Sequence, residues 1–154
     1  MHQITVRDLV RADLPSVAAV LDGTGLFPAP MLAPMAEPYL SGQAPHHWLV
    51  ASRADRVLGF AYAEPERMTD GTSNLLAIAV APDAQRQGVG GSLVATLAGR
   101  LRASGGRVLL VETSSLDEYA GTRRFYAGLG FVEEARIRDF YTEGEDKVVF
   151  WKRV

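Results

Sequence analysis

Two periods alternate along the chain. QITVRD, residues 3–8, alternates apolar and polar positions as a short strand does. HHWLVASR (46–53) and RVLGFAYAEPE (56–66) carry aromatic and β-branched bulk and meet at Ala54-Asp55-Arg56, which predicts a hairpin. NLLAIAVAP (74–82) and RVLLVE (107–112) are continuous apolar runs of a length that suits buried strands. FVEEARIRDFY (131–141) and DKVVFWKRV (146–154) read as two closing strands around the turn residues TEGE. Between these runs the period lengthens. Val89, Leu93, Leu97 and Leu101 recur at every fourth position, with Val94 and Ala98 beside them and Arg100 and Arg102 outside, as on an amphipathic helix ended by Ser104-Gly105-Gly106. YAGTRRFYAGLG (119–130) predicts another helix, with Gly130 as a left-handed cap and Phe131 folding back on the last turn. LPSVAAVL (14–21) predicts a third, with Asp13 as N-cap and Pro15 in its first turn. From Asp22 to Pro45 prolines and glycines leave room only for short helical turns around Met31 to Leu40, a lid or a connector. The order is β-α-α-β-β-β-α-β-α-β-β, an α/β (α+β) domain with a mixed sheet.

Composition narrows the class. The 154 residues suit a single domain, 1–154, and 47% hydrophobic with 22% charged residues is an ordinary globular balance. A net charge of -2 without a basic run argues against a nucleic-acid partner. No cysteine is present, so disulfides and thiolate chemistry are excluded. The start lacks a leader pattern, and no apolar run approaches the roughly 18 residues of a membrane span, so a cytoplasmic location away from membranes is expected. His46 and His47 are adjacent and His2 is terminal, which offers no metal-ligand spacing; both internal histidines read as structural.

Gly88, Gly90 and Gly91 stand where the long helix should begin, although glycine is a poor helix former. A Walker phosphate loop needs lysine after its last glycine, and Ser92 stands there instead. A dinucleotide fold draws some support from Glu112, at 112 − 90 = 22 residues beyond Gly90, near the roughly 20 expected of a ribose-binding acid. Against it, the third glycine would fall at Leu93, the polar run Pro82 to Gln87 intervenes, and too few strands follow. Two readings stay open on the residues alone. One is an anion cradle of unpaired N–H groups at a helix N-terminus; the other is a turn that lets helix and strand pack closely.

Gln85-Arg86-Gln87-Gly88-Val89-Gly90 resembles the Q/R-x-x-G-x-G/A motif of the GNAT superfamily of N-acetyltransferases. It follows a strand ending in Val80-Ala81-Pro82, and downstream Phe125-Tyr126-Ala127-Gly128-Leu129-Gly130-Phe131 looks like the family's F-Y-x-x-L-G-F segment. The resemblance covers most of the chain but not Asp22 to Pro45. It implies a mixed, mostly antiparallel sheet flanked by helices, and acetyl-CoA as co-substrate in a cleft between splayed strands, without a metal. The pyrophosphate would rest on N–H groups of the segment Gln85, Arg86, Gln87, Gly88, Val89, Gly90, Gly91 and Ser92. The pantetheine arm would bond to the backbone at Ile78, Ala79 and Val80, with Arg123 and Tyr126 as further coenzyme contacts. A side chain at Gly88 or Gly90 would then hold the pyrophosphate off its donors.

Acetyl transfer to an amine needs a free-base amine and a proton for the departing thiolate. Tyr126 matches the tyrosine that supplies that proton in the family, and on a helix it shares a face with Tyr119 and Arg123 while Phe125 and Leu129 form the apolar stripe. Relatives often carry an acid on the strand before the glycine loop, but Thr72-Ser73-Asn74-Leu75-Leu76-Ala77 holds none. Glu112 is the first candidate base, with Glu64, Glu66 and Asp139 behind it and a water chain as an equal alternative. The cleft edge, with Glu64, Glu66, Asp70 and Glu112, is acidic and favours a cationic amine. The expected activity is N-acetylation of a small-molecule primary amine. The alternatives are a protein N-terminus or lysine as acceptor, or a module that binds the coenzyme without transfer. The apolar KVVFWKRV strand and the resemblance together suggest a homodimer.

Overall fold

The structure is a computed structural model and describes residues 2–154. Its elements follow the expected order: β1 (Thr5–Asp8), α1 (Leu14–Thr24), α2 (Leu32–Leu40), β2 (His47–Arg53), β3 (Arg56–Pro65), β4 (Thr72–Val80), α3 (Val89–Ala103), β5 (Val108–Ser114), α4 (Ala120–Gly128), β6 (Val132–Thr142) and β7 (Glu145–Arg153). All seven strands form one sheet in the order β1-β2-β3-β4-β5-β7-β6. Every neighbouring pair is antiparallel except β4 and β5. A parallel pair needs a crossover connection, and α3 supplies it between β4 and β5.

Ala54 and Asp55 form the two-residue turn between β2 and β3, both with positive φ, which matches the strands' twist. Gly130 takes φ +91°, and the N–H of Phe131 reaches back to the carbonyl of Tyr126 at 3.1 Å, the expected close of α4. Two sequence expectations are corrected. Asp13 does not cap α1; its backbone is already helical, and its carboxylate accepts the N–H of Val10 at 2.8 Å and two bonds from Arg7 at 2.7 and 2.8 Å. It thus closes the 3-10 turn Arg11–Asp13 that leads into the helix. The Pro-rich segment forms more than turns: Pro28 precedes and Pro30 lies in the 3-10 turn Ala29–Met31, Pro34 lies in the first turn of α2, where no intrahelical N–H is lost, and only Pro38 stands inside the helix, at the loss of one such N–H. The resulting nine-residue helix buries Leu32 and Ala36 and is pinned by the Tyr39 hydroxyl donating to the Leu9 carbonyl at 2.9 Å.

Burial differs between the two halves of the sheet. In β2 and β3 consecutive residues, Trp48 to Ala51 and Leu58 to Ala63, are all buried, so helices cover both faces. In β5 and β7 burial alternates: Leu109, Val111, Val148 and Phe150 are buried, whereas Leu110, Glu112, Lys147, Val149 and Trp151 are partly exposed. The carboxyl-terminal half therefore has one covered and one open face.

Candidate active site

The strands β4 and β5 pair only from Thr72↔Val108 to Leu75↔Val111. Beyond that point β4 continues beside β3 to Val80 while β5 continues beside β7, and the two part as a fork. The N–H of Ala81 donates to the Leu58 carbonyl at 2.7 Å, so alternation along the strand turns the backbone groups of Ile78 and Val80 toward the open side of the fork. The side chain of Gln85 reaches the Val80 carbonyl at 3.1 Å. Ala79 faces β3 with its backbone and is buried, so of the three residues named from the sequence Ile78 and Val80 are the ones presented.

The glycine segment lies at the fork's wide end. Arg86 and Gly88 both adopt positive φ, at 63° and 84°, on either side of Gln87, which turns successive N–H groups inward as an anion nest does. Gln87 is braced by its side chain, which accepts from Arg53 at 2.8 Å and donates to the Asp83 carbonyl at 3.2 Å. The first N–H of α3 with an intrahelical partner is that of Ser92, to Gly88, leaving those of Val89, Gly90 and Gly91 for a ligand. A Cβ on Gly88 would meet no atom within 4 Å, so the space before it is open. Gly90 is different: a Cβ there would stand 2.8 Å from Cζ of Phe125. The close approach of α3 to α4 gives Gly90 a packing reason besides the one expected from the pyrophosphate. The donor set, the open space at Gly88 and the unpaired strand edge at Ile78 and Val80 fit a diphosphate carrying an extended amide-bearing arm.

Tyr126 and Glu112 lie on opposite faces of the sheet, because Tyr126 packs on Phe150, the partner of Val111, and Glu112 is the next residue along β5. Tyr126 packs against Phe131 and Phe150 on the covered face, 4% exposed, and burial raises its phenol well above the ordinary tyrosine value. The apolar stripe expected of α4 is thus corrected: Tyr126 is its buried residue, while Phe125 and Leu129 are half-buried over Gly90 and Gly91. Arg123, expected at the coenzyme, donates to the carbonyls of Ser114 and Leu116 at 2.7 and 2.9 Å and so secures the turn before α4.

Glu112 is the first β5 residue past the paired stretch and projects onto the open face. Its Oε2 accepts from Lys147 Nζ at 2.8 Å and its Oε1 from Asn74 Nδ2 at 3.1 Å. The same Nδ2 donates to Glu66 Oε1 at 3.0 Å, so one buried amide gathers two carboxylates 46 positions apart in sequence (112 − 66). Asn74 is 6% exposed, and its Oδ1 has no donor among the described residues. Lys147 lies 3.6 Å from the centroid of the Phe140 ring. Near Glu112 stands Tyr141, raised above its ordinary value by burial first and by that carboxylate second.

Other named acids go elsewhere. Asp139, itself at φ +53°, accepts the N–H of Gly144 at its carboxylate and donates its own N–H to the carboxylate of Asp146, which makes it a brace of the β6–β7 turn. Glu64 lies 3.5 Å from His46 Nε2. Asp70 lines a cavity of about 460 Å³ with His46, His47 and Gly105, at the opposite end of α3 from the nest. Asn74 and Lys147 were not singled out from the sequence. Asn74 could have been noticed as the polar interruption of an apolar run, and Lys147 as one of only two lysines. No group of three metal-ligating side chains occurs among the described residues, and no helix there is long and apolar enough to cross a membrane.

Residues 44–133 match the family described as the acetyltransferase (GNAT) domain. Among solved structures, a GNAT-family protein of Desulfovibrio desulfuricans is 34% identical with a TM-score of 0.88, over 98% of this chain and 99% of its own. The ribosomal-protein-S18-alanine N-acetyltransferase of Escherichia coli is 25% identical with a TM-score of 0.78, over 99% and 94%. A Salmonella typhimurium protein solved with its cofactor acetyl-CoA shares the fold, with a TM-score of 0.76 at 22% identity over 97% and 93%. Comparison with curated proteins gives no match. The family match over more than half of the chain and the 34% identical structure over nearly all of it agree, and the chain belongs to the GNAT acetyltransferases, whose acyl donor is acetyl-CoA.

Proposed function

We propose that the protein transfers the acetyl group of acetyl-CoA to a primary amine, with Tyr126 as proton donor to the sulfur and Glu112 as proton acceptor from the amine. The observation that carries this is their placement on opposite faces of the sheet. A thioester lying between β4 and β5 meets the phenol on one side and the carboxylate on the other, so acid and base do not neutralise each other. Ile78 and Val80 hold the pantetheine amides by strand-like bonds, and the N–H groups from Gln87 to Gly91 hold the diphosphate, that of Ser92, expected among them, being taken by the Gly88 carbonyl. Tyr126 stays protonated because burial penalises the phenolate, and the same apolar surroundings penalise the free thiolate, which keeps the proton transfer close to balanced.

The uncompensated charge at the open face is negative: Glu66 and Glu112 against Lys147. A cationic small-molecule amine is therefore the first acceptor class. A polypeptide amino terminus is the second, supported by the exposed aromatics Tyr119, Phe140 and Tyr141 at the same rim and by the likeness to an alanine N-acetyltransferase. The test is thiol release from acetyl-CoA over a panel of diamines, amino-acid amides and short peptides. Turnover of at least one acceptor, lost in Glu112→Gln, supports the assignment. Tight coenzyme binding with no release over the whole panel would instead leave a coenzyme-binding module.

A further inference from the structure

The chain contains 14 arginines and only two lysines, and both lysines lie on β7. One of them, Lys147, stands where the chemistry of the site would act on it. Its Nζ is 2.8 Å from Oε2 of Glu112, the carboxylate at the apex of the fork, so an amine of the protein itself already occupies the place of an acceptor amine. The side chain is 13% exposed and its ammonium faces the Phe140 ring, which holds the nitrogen on the open face rather than in solvent. Arginine at this position would satisfy Glu112 with two bonds and a permanent charge. Lysine differs in one respect that matters at this position: it can lose a proton and become a nucleophile.

We propose that Lys147 is a self-acetylation site, modified by the acetyl-CoA bound in the fork of its own chain. This rests on the proposed seat of the thioester between β4 and β5. The lone pair of Lys147 Nζ forms a bond to the thioester carbonyl carbon, and the carbon–sulfur bond breaks. The nitrogen's proton passes to Glu112, and the leaving thiolate takes a proton from Tyr126. The products are Nε-acetyllysine and free CoA. The modification removes a charge and the Lys147–Glu112 ion pair together, which leaves Glu66 and Glu112 as two carboxylates on one amide with no cation between them. The open face then attracts an external cationic amine more strongly, so the step primes the site for its acceptor. Ammonium is the resting form of a lysine, and only the minor free base attacks.

Intact-mass and peptide mass spectrometry after incubation of the whole protein with acetyl-CoA alone tests this. The expected result is a gain of about 42 Da, one acetyl group, on the peptide containing Lys147. It should persist in Lys152→Arg and vanish in both Lys147→Arg, which keeps the charge, and Glu112→Gln, which keeps the lysine. Lys152, whose Nζ is bound to the Leu129 carbonyl, is the internal control for non-specific acetylation. Equal labelling of both lysines, labelling of Lys147 in the urea-unfolded protein at the same rate, or no labelling at pH 9 overturns the proposal. Thiol release over the amine panel is read separately. Labelled Lys147 without turnover of any external amine upholds this inference and removes the small-amine reading, and the reverse result does the opposite.

Discussion

Tyr126 is a packing residue to which the proposed mechanism adds a chemical role. Its ring is a core residue, at 5.6 Å from Phe131 and 5.8 Å from Phe150, and the same burial keeps its hydroxyl protonated. Replacing it with phenylalanine keeps the packing and removes the hydroxyl that the proposed mechanism uses as proton donor. Turnover should fall about 10²- to 10³-fold with little change in acetyl-CoA affinity, measured by steady-state kinetics and calorimetry. Its raised value also has a stability consequence. The folded protein holds the phenol's proton more tightly than the unfolded chain, so this contribution is complete below about pH 10 and fades as pH rises further. Tyr126→Phe should therefore lose less thermal stability between pH 9 and pH 11 than the parent; an identical alkaline limb in the two proteins would remove Tyr126 as its source. Asp13 works in the other direction. Its carboxylate is held below the usual range, first by the bond from Arg7, and its contribution is present above about pH 4 and lost as pH falls. In Asp13→Asn the acid limb of urea unfolding should flatten, and stability at pH 7 should drop by about 1–3 kcal/mol.

Within elements, the glycines at the start of α3 divide their work. Gly88 has positive φ and empty space before it, whereas Gly90 has ordinary backbone and the Phe125 ring against it. Gly88→Ala should cost only about 1–2 kcal/mol of stability from backbone strain, yet weaken acetyl-CoA binding at least tenfold by narrowing the nest. Gly90→Ala should do the reverse, costing about 1–3 kcal/mol through overpacking against α4 with the smaller effect on affinity. Urea unfolding beside calorimetric titration separates the two, and loss of affinity confined to the Gly90 variant would invert these roles. The helix and strand types were legible from the sequence wherever periodicity was strong. Leu93, Leu97 and Leu101 do lie on the buried face of α3, and the period-two runs did become strands. Legibility failed only for the full extent of α2, read as short turns around Met31 to Leu40, because proline is a helix breaker by default, whereas here Pro34 sits in the first turn and Pro38 is accommodated inside the helix for one missing N–H. It failed again at Asp13, because a residue that suits an N-cap suits the preceding 3-10 turn equally well.

The whole molecule is one seven-stranded sheet covered on both faces in its first half and on one face in its second. Trp48 sits in the doubly covered half and Trp151 on the half-open one. If the continuous sheet makes one cooperative unit, fluorescence of Trp48→Phe and Trp151→Phe proteins should show urea transitions of equal width, each coincident with the circular dichroism of the same protein. Separate transitions would mean that the fork divides the molecule into two folding units. The exposed strand β6 defends its free edge with Glu133, Glu134, Arg136 and Arg138 and with two irregularities in its pairing to β7, devices that discourage another strand from adding there. A homodimer, suggested from the sequence through the apolar β7, would accordingly use the open face beside Val149 and Trp151 rather than this edge.

The sequence by itself determined the element order, the position of the glycine segment at the head of a helix, and the aromatic segment around Tyr126. Each depends on neighbours within a few residues, where hydrophobic period, glycine dihedrals and motif spacing are written directly in the chain. Only the tertiary structure decided that Glu66, Asn74, Glu112 and Lys147 form one cluster, that Arg123 and Asp139 are braces, and that Gly90 answers to Phe125. Those facts arise where strands distant in sequence part or pair, and a carboxylate's role follows from the charge beside it, which no local pattern contains.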